Sequence, residues 1–278
     1  GLWLDDGWGH AEPGGPLGGH QGSGKVGTPP GGVGPGGCYH TCNSGGGKGA
    51  GGGSGSNGSL SSGGRNSPAT PSGNAPYGSD NHWYTGMDLR QAPAVAEFTT
   101  LAMLACAKGY SLTCELWGYY STLAGGEKRV NVDSLLASDM GFKTGKGVDR
   151  KSRGVNQVLT DWAEQARGRC EETSCTYSAD SMWMGTQFTS PDGAVAIGHA
   201  QMRLQGSVKV SGQGARRKVT VNYTVNLYKD WNFDKEKTAR IPIVGKEISL
   251  APFARLHELG LAQEFKMVGV SSVQRFVG

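Results

Sequence analysis

Lys218-Val-Thr-Val-Asn-Tyr-Thr-Val-Asn-Leu-Tyr228 alternates apolar and polar residues along its whole length. Successive side chains of an extended chain point to opposite faces, so Val219, Val221, Tyr223, Val225 and Leu227 form one apolar face. The other face is polar, which predicts a strand covered on one side only. Upstream, residues 182–189, 194–204 and 206–211 read as further strands, because they alternate or are β-branched. Pro191-Asp192-Gly193 and Gly212-Gln213-Gly214 read as the turns between them. Downstream, residues 252–259 read as a short helix and 264–277 as a closing strand.

The half before the sheet reads as helical. Residues 93–107 predict a buried helix with Pro93 in its first turn, stopped by Gly109. Residues 112–123 predict a second, with Leu116, Tyr119, Tyr120 and Leu123 on one side. Val155, Val158, Leu159, Trp162, Ala163 and Ala166 follow helical spacing over 155–167. Residues 130–139 are short and mixed. The expected fold class is therefore α+β, a helical part (89–170) followed by an antiparallel curved sheet or half-barrel (180–278).

Before residue 83 the composition changes. Of 48 Gly and 12 Pro in the 278 residues, 28 and 8 fall in the first 80, with only seven charged residues among them. Such a segment buries too little apolar area to offset its chain entropy. Residues 1–82 therefore read as a flexible arm or linker and 83–278 as the folded domain. There is no G-X-Y period, which excludes collagen. The chain begins Gly-Leu-Trp, which reads as a processed product or the end of a longer protein, and no secretory signal is visible.

Net charge is +4 with a pI near 8.7, and no Lys/Arg run exceeds Arg216-Arg217-Lys218. This is not a nucleic-acid footprint. No stretch approaches the ~20 apolar residues of a membrane span.

Six cysteines fall into three local pairs: Cys38/Cys42, Cys106/Cys114 and Cys170/Cys175. Three small disulfide loops in an oxidising compartment are expected. Free thiols are the plain alternative, and Cys38-Tyr-His40-Thr-Cys42 offers three zinc ligands. In one continuous helix Cys106 and Cys114 would lie ~12 Å apart, too far to bridge, so a disulfide there requires a helix hairpin.

Polar groups that can do chemistry gather in Tyr228-Lys-Asp-Trp-Asn-Phe-Asp-Lys-Glu-Lys-Thr-Ala-Arg240. Asp230 and Asp234 can hold a hard cation. Asn232 offers amide contacts, and Arg240 or Lys237 can hold a phosphate. A charged loop after a strand is also what an ordinary solvated turn looks like. His199, within an apolar strand, and His257, on the late helix, read as structural histidines before catalysts. Nucleophile-elbow, P-loop and H-E-x-x-H motifs are absent. Asn222-Tyr-Thr224 fits a glycosylation sequon.

The order of features from Tyr119 to the end, roughly 160 residues, resembles the colicin M family of bacteriocins that degrade lipid II. Tyr119-Tyr-Ser-Thr-Leu-Ala-Gly-Gly-Glu-Lys-Arg-Val-Asn-Val132 is similar to that family's helix end and G-x-E-R-x-V-N-I segment. Asp192-Gly-Ala-Val-Ala-Ile-Gly198 through Gly206-Ser-Val-Lys-Val resembles its hairpin. Leu256-His-Glu-Leu-Gly-Leu-Ala-Gln-Glu-Phe-Lys-Met-Val-Gly-Val-Ser-Ser resembles its terminal pattern. Against the family signature D-x-Y-D-x-N-x-x-x-H-R, Asp230 takes the leading Asp and Arg240 the Arg. Trp231 stands at the Tyr, Asn232 at the second Asp, Asp234 at the Asn and Ala239 at the His.

The resemblance implies Mg²⁺-assisted hydrolysis of lipid II at the undecaprenyl–phosphate bond, in the periplasm of a target bacterium. Asp230 and Asp234 would position the cation and activate water. Asn232 and Trp231 would lie in the site, and Arg240 would stabilise phosphoryl charge. A cognate immunity protein is the implied partner, with no nucleic acid and no transmembrane span. A toxin acting on another envelope target, or a binding domain on a Gly-rich stalk, are the competing expectations.

Overall fold

The computed structural model describes residues 58–69, 75–80, 92–214, 217–241 and 244–278. Cys38, His40 and Cys42 lie outside the described residues.

The helical part begins with a disulfide-clamped hairpin. Helices α1 (Ala92–Ala107) and α2 (Ser111–Ser121) turn at Gly109, whose φ of +77° favours glycine. Cys106 and Cys114 bridge across the turn, as the spacing argument required. Phe98, Leu101, Leu116, Trp117 and Tyr120 are buried between the two helices and α7, described below. The carboxylate of Asp192, far along the chain, accepts from the α2 amides of Leu112 (2.9 Å) and Thr113 (2.8 Å). It supplies the N-cap that Tyr110 cannot.

Strand β2 (Glu127–Arg129) leads to α3 (Val132–Ser138) and α4 (Met140–Thr144). Asn131 and Asp139 cap these two helices through Ser134 N and Phe142 N. Helix α5 (Val155–Arg169) buries all six apolar residues that the helical spacing picked out. A second disulfide, Cys170–Cys175, joins its end to strand β3 (Ser174–Asp180).

Strands β4 (Met184–Gln187), β5 (His199–Ser211) and β6 (Lys218–Trp231) follow, with helix α6 (Pro191–Ala196) between β4 and β5. A hairpin of β7 (Thr238–Ile241) and β8 (Lys246–Ser249) precedes α7 (Ala251–Glu258), and β9 (Phe265–Val270) and β10 (Gln274–Val277) close the domain. With β1 (Ser59–Ser61), the main sheet runs β1-β3-β5-β6-β9-β2. β10 lies along β6, and β4 along β5. Helix α5 packs across β5 and β6 on the core side. The fold is α+β, as expected.

Several details depart from the sequence reading. The sheet is mixed rather than antiparallel: β1 pairs β3, and β2 pairs β9, in parallel. Both are three-residue strands, too short to show alternation. Residues 191–196 form a helix rather than a hairpin turn. Ser190 caps it through Gly193 N at 3.1 Å and Pro191 occupies the first turn. Ser, Pro, Asp and Gly serve turns and helix starts alike. Of the expected strands 194–204 and 206–211, residues 199–211 form one strand, β5, and residues 194–196 belong to α6.

Described residues before 83 also contact the rest of the fold. Leu60 is 1% exposed within the core, and residues 75–80 bind α7 through Gly78 N to His257 O and Asp80 N to Glu258 O. Among the described residues no helix is long and apolar enough to cross a membrane.

Candidate functional site

The helices lie against the Val219–Leu227 face of β6, and the opposite face carries the polar groups. Alternation places Asn226, Tyr228 and Asp230 of β6 on that outer face. On β5 it places His199, Gln201, Arg203 and Gln205 there. The ladder pairs Gln201 with Tyr228 and Arg203 with Asn226, so the two polar rows are adjacent. Across the other edge of β6, Asp230 pairs with Lys266 and Tyr228 with Val268.

Asp230 is the sequence-predicted residue that this face presents. Its Oδ1 accepts a 2.9 Å hydrogen bond from the Tyr228 hydroxyl. Its Oδ2 is buried and has no hydrogen-bond partner among the described residues. Burial, and then the bond to Asp230, push the Tyr228 phenol up to about 12, so it stays a donor at neutral pH. The Trp183 ring meets Tyr228 edge-on at 6.1 Å.

The rest of the face is heavily bonded. Arg203 grips Asp180 with two hydrogen bonds, 2.9 Å from Nε and 2.5 Å from Nη2. The Arg203 bonds outweigh burial and hold the Asp180 carboxyl below its usual value. His199 Nε2 lies 2.9 Å from Asp149 Oδ2. Burial by itself would raise Asp149, but hydrogen bonds from Ser152 and His199 lower it instead. Gln201 is 8% exposed, its amide bonded twice to the backbone of Ala69.

The other predicted site residues whose side chains are described take different places. Trp231 points into the core, 3% exposed; its indole donates to Ala196 O at 2.7 Å and stacks on Phe265 at 4.9 Å. It packs in the core rather than standing on the outer face with Asp230. Strand alternation is the reason: the neighbour of an outer-face Asp must face inward.

Asn232 and Asp234 sit in the turn after β6 and bond to each other at 3.4 Å. Asp234 Oδ2 is held by Lys237 at 2.7 Å. Arg240 lies on β7 opposite Glu247, and its side chain is outside what is described. Residues 228–240 are thus the end of one strand, a turn and the start of another, rather than one loop. His257 is buried on α7, where its Nδ1 accepts from Glu264 N.

No group of three or more His, Cys, Asp or Glu among the described residues is arranged to hold a metal. A hard cation such as Mg²⁺ needs one or two carboxylates, with water and phosphate completing its shell. The orphaned Oδ2 fits Asp230 for that part, whereas Asp234 is already neutralised by Lys237.

The residues that sequence reasoning passed over are Tyr228, Gln201, Arg203, Asp180 and Asp149. Tyr228 was legible, two residues before Asp230 on the same face of the alternating strand. Asp149 was not, because it lies in an irregular stretch that only the fold brings to His199. No protein-family model, no curated protein and no solved structure matches the chain.

Proposed function

We propose that this chain is an antibacterial toxin that hydrolyses lipid II at the undecaprenyl–phosphate bond. The observation that carries the reading is the Tyr228–Asp230 pair at the end of the longest strand. One carboxylate oxygen is fixed by a phenol and the other has no hydrogen-bond partner among the described residues. A buried carboxylate oxygen with no donor is costly, and such groups gather where a ligand or cation completes them.

In this reading Asp230 takes the proton of a water as that water bonds to phosphorus. The bond from phosphorus to the undecaprenyl oxygen breaks, and that oxygen leaves as the alcohol, taking the proton that Asp230 accepted from the water. Tyr228 orients Asp230. Arg240 offers charge to the phosphoryl oxygens. A bound Mg²⁺, held by Asp230, would supply charge neutralisation at the phosphate. The two disulfides suit work in a periplasm, and a producing cell would need an immunity protein.

The test is periplasm-directed expression of wild type, Asp230→Ala and Asp234→Ala in a Gram-negative host, with lipid intermediates extracted. Lysis with loss of lipid II and release of undecaprenol, abolished by Asp230→Ala, supports the reading. Asp234→Ala is expected to weaken it less, since Asp234 is committed to Lys237. Lysis with lipid II intact would move the target to another envelope lipid. Folded protein without lysis would leave a binding domain on a Gly-rich stalk.

A further inference from the structure

Part of the Gly-rich segment lies against the candidate face. Leu60 is anchored in the core through β1, which pairs with β3. At Gly63 the backbone takes a φ of +76°, a turn that favours glycine. Gly64 N then donates to Ser181 O at 3.2 Å. Arg65 and Trp183 exchange two backbone hydrogen bonds of 2.8 Å. Ala69 N donates to Gln201 Oε1 and Ala69 O accepts from Gln201 Nε2, both at 2.7 Å. Gln201 sits directly across from Tyr228, and this contact helps to bury an outer-face residue.

No residue from 62 to 69 is fully buried, and the bonds named above all run through the main chain of this stretch. Segments held in this way open locally at low cost while the core stays closed. Gly64 is also essential to the fit. A Cβ there would lie 2.6 Å from Ser181 O and 2.7 Å from Trp183 O, both backbone atoms that cannot move aside.

We propose that residues 62–69 are a releasable strap, hinged at Gly63 and anchored by Leu60, that covers the Gln201 side of the Tyr228–Asp230 site. Its release uncovers the outer face for a ligand. The consequence for hydrolysis rests on the lipid II reading; the strap itself does not.

The experiment uses the full chain, wild type beside Gly64→Val, with Arg65→Pro as a second lifting variant in case the first fails to fold. Proline removes the Arg65 N–H that bonds Trp183 O. Three properties are measured: amide hydrogen exchange, hydroxyl-radical footprinting of Trp183 and Tyr228, and lipid II hydrolysis.

In the variants the strap amides should exchange about tenfold faster, with β5 and β6 protection unchanged. Oxidation of Trp183 and Tyr228 should rise severalfold, and hydrolysis should rise with it. The strap is overturned if β5 and β6 lose protection together with residues 62–69, or if the footprint does not change. The gating role is overturned if the footprint rises while the hydrolysis of an active wild type stays level. If wild type hydrolyses no lipid II, the functional reading fails, and exchange and footprinting still decide the strap.

Discussion

Asp230 and Trp231 are neighbours in sequence and opposites in consequence. Trp231→Ala would open a cavity among Tyr120, Phe233 and Phe265, at a cost of about 3–5 kcal/mol. A denaturant titration should show that loss, and Trp231→Phe should recover most of it. Asp230→Asn, by contrast, keeps the shape and removes only the charge, so its melting temperature should stay near wild type while the proposed lipid II hydrolysis, if Asp230 carries it, disappears. Tyr228→Phe tests the link between them. Losing the hydroxyl leaves both Asp230 oxygens without a hydrogen bond among the described residues; the proposed hydrolysis should fall about tenfold through a less ordered carboxylate, with a stability change near 1 kcal/mol.

Among the elements, α2 shows how distant parts of the chain complete one another. Its first turn has no local side-chain cap, and Asp192 on α6 receives the orphan amides. Asp192→Ala should therefore destabilise the protein by about 1 kcal/mol, within the range of an ordinary N-cap, despite being 79 residues away from Thr113. Thermal melts of the two proteins measure it. The Cys106–Cys114 bridge closes the same helix hairpin, over a separation of eight residues. Replacing both cysteines with serine should cost about 2–4 kcal/mol, and wild type under reductant should lose at least as much, because Cys170–Cys175 opens too.

For the whole molecule, pH dependence follows from groups whose shifts, down for His257 and the carboxylates and up for Tyr228, all favour the charge state held near neutrality. Burial holds His257 below the ordinary histidine value of about 6.5. The unfolded chain takes that proton first, so stability falls as pH drops through the histidine range. Asp149, Asp180 and Glu258 are also held below their usual values, the last by Lys235 and Arg255 against the pull of burial. Their contribution is present above the normal carboxylate range and is lost on further acidification. At the alkaline end, Tyr228 keeps its proton to about 12 while an unfolded tyrosine loses it near 10, so stability falls again above pH ~10. Denaturation midpoints from pH 3 to 11 should trace a plateau near neutrality, with the first decline on the acid side at the histidine.

Local chemistry made a good part of this protein readable before any fold was known. Helical spacing located α5 and its six buried residues, and strict alternation located β6 and its apolar face. A disulfide between Cys106 and Cys114 needed a turn between them, and the bridged hairpin forms. Each signal is a periodicity or a reach limit, a property of a few consecutive residues. The Asp230 site was half legible for the same reason: alternation sets Tyr228 beside it and turns Trp231 away.

What alternation cannot carry is pairing between distant segments. The three-residue strands β1 and β2 show no period of their own, and they exist because β3 and β9 offer them an edge. The bond from Asp149 to His199, the cap from Asp192 to α2 and the grip of Gln201 on Ala69 each join residues 50 to 132 positions apart. Such contacts depend on where whole elements settle when their apolar faces are buried together, and that arrangement placed the polar groups around Asp230.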